Sequence, residues 1–178
     1  NSGQVLSDPL ISPDKARRIC GGPFFKGGFL SMNILVSACL LGTPCRYDGT
    51  GKALPQLEAL RAQGHTLIPV CPEILGGLPT PHTPAERQQD GRVVNRDGVD
   101  VTAAYEAGSQ AALAAAREHG CTLAILKERS PSCGHGQIYD GTFSRRLIPG
   151  SGVAAQLLTE HGVRVLGESQ LSEAFPSL

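Results

Sequence analysis

Residues 101–128, VTAAYEAGSQAALAAAREHGCTLAILKE, change period partway along. Up to Gly120 the segment predicts a long helix, with Asp100 or Thr102 to cap its start and Gly120 to end it. From Cys121 the run CTLAILKE (121–128) predicts a strand, unbroken apolar over 123–126 as burial on both faces requires. The same order recurs on either side. ALPQLEALRAQG (53–64) predicts a helix that stops at Gly64, and HTLIPV (65–70) the strand after it. GSGVAAQLLTEHG (150–162) and VRVLGE (163–168) form another such pair. A first strand is expected at NILVSA (33–38) and a closing helix at SQLSEAF (169–175). Strands alternating with helices predict an α/β fold, a single domain with a mostly parallel sheet, right-handed crossovers and helices on its faces.

The bulk properties fit that class. At 178 residues the chain suits one domain, and 22 glycines and 13 prolines supply tight loops. Formal net charge is zero, and residues 32–178 carry 12 basic against 14 acidic side chains. A nucleic-acid binder usually shows a basic footprint in such totals, so a nucleic-acid partner is not expected. No apolar run approaches the ~20 residues of a membrane span, so no membrane partner is expected either. Six cysteines in a chain of this length with no visible secretory leader favour metal or catalytic thiols over a disulfide framework, and a cytoplasmic location.

Residues 1–31 differ from the rest. They contain scattered glycines, no amphipathic period, and apolar patches broken by Pro23 and Lys26, which makes a poor signal peptide. Met32 is the chain's one methionine. The stretch reads as a disordered or non-native leader and 32–178 as the folded domain, which leaves Cys20 without a role.

The thiols gain meaning from the predicted strands. The first strand runs into Cys39, with Cys45 six residues later; the second ends at Cys71; the third leads through KERSPSC to Cys133. An open parallel sheet binds its ligand outside the carboxyl ends of its strands, where the strand order reverses. Three strand ends therefore deliver thiols to one edge. The paired Cys-x₂₋₄-Cys knuckles common in zinc sites are missing, whereas iron–sulfur clusters accept scattered thiolates. Cys121, at a strand start, reads as a small core hydrophobe. Cys71, directly before Pro72, can be ligand, neighbour or filler.

The segments VSACLLGTPCRYDG (36–49), PVCPEILGGLPTP (69–81), DVTAAYEAG (100–108), LKERSPSCG (126–134) and IYDGTFSRRLIPGSGVAAQLL (138–158), in that order, resemble the thiouracil desulfidase family. The resemblance implies a Rossmann-like domain with a [4Fe-4S] cluster on three cysteines. Its fourth iron takes the sulfur of a thiolated pyrimidine, and water replaces that sulfur without net redox change to give uracil and hydrosulfide. Residue by residue, Cys39, Cys45 and Cys133 match the ligands, with Cys71 as the replacement. Glu73 matches a glutamate and Ser130 a serine that assist the water. Pro81-His82 stands where the family often has Pro-Arg. If that side chain contacts a carboxylate or the substrate, His82 makes the contact weaker or pH-dependent.

The chemistry is coherent on its own terms. A thiocarbonyl sulfur is soft and prefers iron, leaving its carbon open to water. Glu73 then serves as general base and Ser130 orients the water or stabilises developing charge. Each residue has a plainer reading. Glu73 can be a surface or helix-cap residue, and Ser130 the start of a Ser-Pro turn. Arg46, Tyr47 and Asp48 can be a turn with Gly49 held by an Arg–Asp pair. Asp140-Gly141 reads as a hairpin turn. GSG (150–152) lacks the rest of a dinucleotide fingerprint, and leaves a helix N-terminus on which an anion can sit. Two other classes stay open: a cluster protein for sulfur transfer or thiolated tRNA, and a zinc or redox structural module.

Overall fold

β1 (Asn33–Ser37) and β5 (Leu123–Leu126) form the centre of the sheet, and both are apolar on the two faces. The computed structural model describes residues 31–176; the leader expected over 1–31 lies, but for Ser31, outside the described residues, as does Cys20. Four strands pair in parallel in the order β2 (Thr66–Val70), β1, β5, β8 (Arg164–Gly167). Side chains alternate across this sheet. Ile34, Val36, Leu67, Ile125 and Leu166 face α1 (Pro55–Ala62) and α5 (Leu171–Ala174), whose Leu57, Leu60 and Leu171 are buried against them. Leu35, Val70, Ala124 and Leu126 face α3 (Thr102–Glu118) and α4 (Val153–Glu160), through Leu113, Ala116, Ala155 and Leu158. The result is the three-layer α/β domain expected. None of the described helices is long and apolar enough to cross a membrane.

Several expected boundaries move. β1 stops at Ser37, not Cys39, and Ala38–Leu41 form a 3₁₀ turn closed by Gly42 in the left-handed region, so Cys39 sits inside a turn. β2 stops at Val70, and Cys71 precedes a one-turn helix, α2 (Pro72–Leu75), too short to show a period. Neither Asp100 nor Thr102 is the N-cap of α3; Val101 is. Asp100 Oδ1 instead accepts the Thr102 N–H, and Thr102 Oγ1 accepts the Val93 N–H. Two antiparallel hairpins were not expected as such. One joins β3 (Ala85–Arg87) to β4 (Val93–Asn95), the other β6 (Gln137–Tyr139) to β7 (Leu147–Pro149). The second has Asp140-Gly141 at the start of its loop, where a turn was read. The closing helix begins as a 3₁₀ turn over Glu168–Gln170.

The order β2-β1-β5-β8 carries the chain from β1 to one side and later back to the other. The switch point is therefore the crevice between β1 and β5. α2 is brought to this crevice by α3. A Cβ added at Gly108 would lie 1.8 Å from the Pro72 carbonyl oxygen, and one at Gly76 would lie 1.9 Å from that of Ala104. The two helices touch backbone to backbone, which only glycine allows. Gly108→Ala must push α2 outward and is expected to cost about 1–3 kcal/mol. Calorimetric melting checks this; an unchanged Tm would show that α2 is free to shift.

Candidate active site

A cavity of about 400 Å³ opens at the β1/β5 switch point. Cys39, Cys45, Cys71, Cys133, Glu73 and Ser130 all line it, so the structure brings every predicted site residue together. Cys121 is not among the lining residues and is buried in the apolar core between Leu113, Ala116 and Leu158, as read.

Three loops present these groups. After the 3₁₀ turn the chain folds back, with Cys45 N–H on the Thr43 carbonyl at 2.8 Å and Arg46 N–H on that of Thr50 at 3.1 Å. Arg46 pairs with Asp48 at 3.5 Å, and Asp48 Oδ1 accepts both the N–H and the hydroxyl of Thr50. The turn reading of Arg46–Gly49 therefore holds, while Arg46 and Tyr47 also reach the cavity. In the loop after β5, Ser130 Oγ accepts the N–H groups of Ser132 and Cys133, each at 3.1 Å. Both of its acceptor sites are then used, so its hydrogen is free for Glu73 Oε1, 3.2 Å away. Ser130 thus builds the turn that presents Cys133 and also holds the carboxylate.

The same loop plugs the N-terminus of α4. Val153 N–H donates to the Pro131 carbonyl at 2.9 Å, and those of Ala154 and Ala155 to the Ser132 carbonyl at 2.9 and 3.1 Å. The N–H groups on which an anion was considered are consumed by the protein itself, and that reading is withdrawn. Gly152 is required there, since an added Cβ would meet the Ser132 carbonyl oxygen at 2.4 Å.

Electrostatics define what the thiols want. Burial, and then Cys71, push the Cys39 thiol up to about 11, with Lys127 and Arg46 pulling the other way. Burial, and then Cys71, push Cys45 up to about 12. Burial raises Cys133 as well, opposed by a hydrogen bond with Ser37. Without a cation these sulfurs keep their protons; a bound metal removes them outright. Among the described residues, no group of three Cys, His, Asp or Glu closes around one metal ion. Sulfur donors from three segments around a 400 Å³ space fit a multi-iron cluster, which is wider than an ion, and not a mononuclear zinc. That counts against the zinc-module class. All five described cysteines are free. Cys71 differs from the other three lining thiols in being part-exposed, and its sulfur lies 3.6 Å from the Cys45 carbonyl oxygen, its hydrogen-bond acceptor.

Glu73 is held from both sides. Oε1 takes the Ser130 hydroxyl, and Oε2 lies 3.2 Å from His82 Nε2. The departure noted at Pro81-His82 therefore falls against the proposed base. Other participants escaped the sequence reading. Ser37, buried at the end of β1, accepts the Lys127 N–H at 2.9 Å and so extends the β1–β5 contact to the cavity floor. Lys127 Nζ pairs with Glu168. Glu86 Oε2 accepts the N–H groups of Gly141 and Phe143 at 3.0 and 2.9 Å, which ties the β6–β7 loop over the cavity. The only sequence signal for Ser37 and Glu86 is a polar residue inside an apolar or strand-like run. Arg46, Arg96, Lys127, Arg129 and Arg145 also line the cavity, beside the carboxylates of Glu73, Glu86 and Glu128.

A protein of Bacillus subtilis strain 168 known as uncharacterized protein YbbK is 43% identical over 149 residues, covering 79% of this chain and 98% of its own. The solved structure of a [4Fe-4S]-dependent thiouracil desulfidase, TudS, superimposes with a TM-score of 0.76 at 48% identity, covering 80% of this chain and 95% of that one. The sequence model of 2-thiouracil desulfurase matches residues 34–170, a span that begins in β1 and ends just before α5, and the chain accordingly belongs to the 2-thiouracil desulfurase family.

Proposed function

We propose that this protein is a [4Fe-4S]-dependent desulfidase that converts a thiolated pyrimidine, thiouracil, to uracil and hydrosulfide. The observation that carries the reading is a single cavity that holds buried thiols beside a hydrogen-bonded Ser130–Glu73 pair. Cys39, Cys45 and Cys133 would hold the cluster; Cys71 is left out, since it is part-exposed and bonded to a backbone carbonyl. When bound, the cluster supplies an iron without a protein ligand, to which the soft substrate sulfur has affinity. Glu73 accepts a proton from water as the oxygen adds to the ring carbon. Ser130 fixes the direction of Glu73 through Oε1 and leaves the carboxylate facing the cavity. The remaining hydroxyl proton passes to the sulfur as the carbonyl forms, the carbon–sulfur bond breaks with its electron pair on sulfur, hydrosulfide leaves, Glu73 gives its proton to solvent, and no electrons are exchanged. Lys127 and Arg46, which already lower the cost of charge on Cys39, offset the negative charge of the assembled thiolates. The near-neutral total favours a small molecule over nucleic acid, and the free thiols suit a reducing cytoplasm.

Each of Cys39→Ser, Cys45→Ser and Cys133→Ser is expected to lose the cluster on anaerobic reconstitution, and Cys71→Ser to keep it. Iron and sulfide per chain, with the visible absorption band, check this; iron loss in Cys71→Ser with retention in Cys45→Ser would exchange the two.

Glu73→Gln is expected to keep a full cluster and to slow uracil release from 4-thiouracil by about 10²–10⁴. Single-turnover kinetics on iron-matched samples measure it, with thiolated tRNA as a parallel substrate. An unchanged rate would remove Glu73 as base, and turnover confined to the tRNA would favour the RNA class. Ser130→Ala should both slow release and weaken iron retention, because the Ser132 and Cys133 N–H groups lose their acceptor.

A further inference from the structure

His82 is fixed by three contacts. Its backbone N–H donates to the Tyr47 carbonyl at 2.9 Å, which ties the 79–84 segment to the loop of Cys45. Its Nδ1 lies 2.8 Å from the Pro79 carbonyl oxygen. A carbonyl only accepts, so Nδ1 carries a hydrogen. Its Nε2 lies 3.2 Å from Glu73 Oε2, with the imidazole side chain 9% and the carboxylate side chain 14% exposed. Nε2 is buried and has no aligned hydrogen-bond partner.

These constraints leave one place for a proton. With Nδ1 committed to Pro79, a neutral ring would aim the Nε2 lone pair at Oε2, two electron-rich atoms 3.2 Å apart in a poorly solvated corner. The other oxygen cannot relieve this, because Oε1 receives the Ser130 hydroxyl. A hydrogen on Nε2 turns the repulsion into an ion pair and fixes the carboxylate plane. Glu73 is the charged group that faces the ring; Pro79 and Tyr47 offer carbonyls, Arg46 and Asp48 in the loop beyond Tyr47 pair with one another, and Thr83 beside the ring bonds Asp97.

We propose that His82, as imidazolium, is a positioning residue for Glu73, holding Oε2 so that the carboxylate meets water beside the substrate carbon. The proposal rests on Glu73 being the base. The Glu73 carboxylate beside Nε2 raises the imidazole above its ordinary range, and the Pro79 carbonyl acts the same way, against burial, which opposes both. The sign follows. The folded ring is charged to higher pH than the unfolded one, so the pair's contribution is complete below about pH 6.5 and is lost as pH rises through the folded value. Turnover should therefore carry an alkaline limb set by His82.

Two measurements on the reconstituted holoprotein test this. The first is an NMR titration of the His82 ring Cε1–H, identified by its loss in His82→Arg. The transition should lie at higher pH in the unmodified protein than in Glu73→Gln, and equal midpoints would overturn the pairing. This readout needs no turnover, so it stands apart from any failure of the desulfidase reading. The second is the pH profile of kcat. His82→Ala should lower kcat by about 10–100-fold with KM little changed. His82→Arg, a permanent cation, should recover most of kcat and lose the alkaline limb. A limb of the same midpoint in His82→Arg, or full kcat in His82→Ala, would show that His82 does not position the base.

Discussion

β1 and β5 lie side by side although 90 residues separate Ser37 from Lys127, whose N–H the Ser37 hydroxyl accepts. Their register runs Ile34 to Leu123, Leu35 to Ala124 and Val36 to Ile125. The Ser37–Lys127 bond continues that ladder past the last paired residues, and there the two chains part. One turns into the 3₁₀ segment that carries Cys39, the other into the loop that carries Ser130 and Cys133. Because neighbouring connections leave in opposite directions, nothing fills the gap between them. The cavity is a consequence of sheet order, and loss of β1–β5 registry would separate the proposed ligands before it touched any one of them.

Around that gap the polar groups are held largely by one another. Ser130 accepts two N–H groups and donates to Glu73; the Pro131 and Ser132 carbonyls cap α4; Glu86 accepts two N–H groups of the β6–β7 loop; Glu168 takes the Glu128 N–H at 2.6 Å and pairs with Lys127. Buried polar groups without partners cost free energy, so a network of this kind has few alternative arrangements. The proposed thiol ligands answer mainly to burial. Burial raises all three proposed ligands; Lys127 and Arg46 partly offset it at Cys39, and a hydrogen bond with Ser37 partly offsets it at Cys133. The site joins a hydrogen-bonded backbone to sulfurs whose burial disfavours the free thiolate, a combination that suits ligands to a metal cluster.

Much of this was legible in the sequence because helix and strand periods are local. The four parallel strands and the helices between them needed nothing beyond the pattern in 33–70 and 101–168. So did the convergence of Cys39, Cys45, Cys71 and Cys133, since strand ends predict position even when the last residues bend away. Elements barely longer than one period were missed where no flanking pattern marked them: α2 has four residues and the hairpin strands three each. Ser37 and Glu86 were missed for another reason. Their partners, Lys127 and the Gly141–Phe143 loop, are remote in sequence, and a polar residue in an apolar run does not say what it meets. The helix-N-terminus reading at GSG failed likewise, because the acceptors of those N–H groups, the Pro131 and Ser132 carbonyls, lie 22 or 23 residues upstream.

Ser130 links the two tasks of the site. The hydroxyl that orders the Cys133 turn also aims its hydrogen at the carboxylate, so the proposed sulfur ligand and the proposed base share one atom. A substitution at Ser130 therefore cannot separate them. Glu73 and His82 can, since neither bonds a residue of the Cys133 turn except through that hydroxyl, and His82 reaches the carboxylate from the opposite side. The carboxylate thus lies between a donor whose hydrogen is set by backbone N–H groups and a ring whose Nδ1 hydrogen is held by a backbone carbonyl. Both settings come from main-chain geometry, which α2's backbone contact with α3 and the plugged end of α4 hold in place. The orientation of the Glu73 carboxylate is in this sense a property of the fold, with side chains only transmitting it.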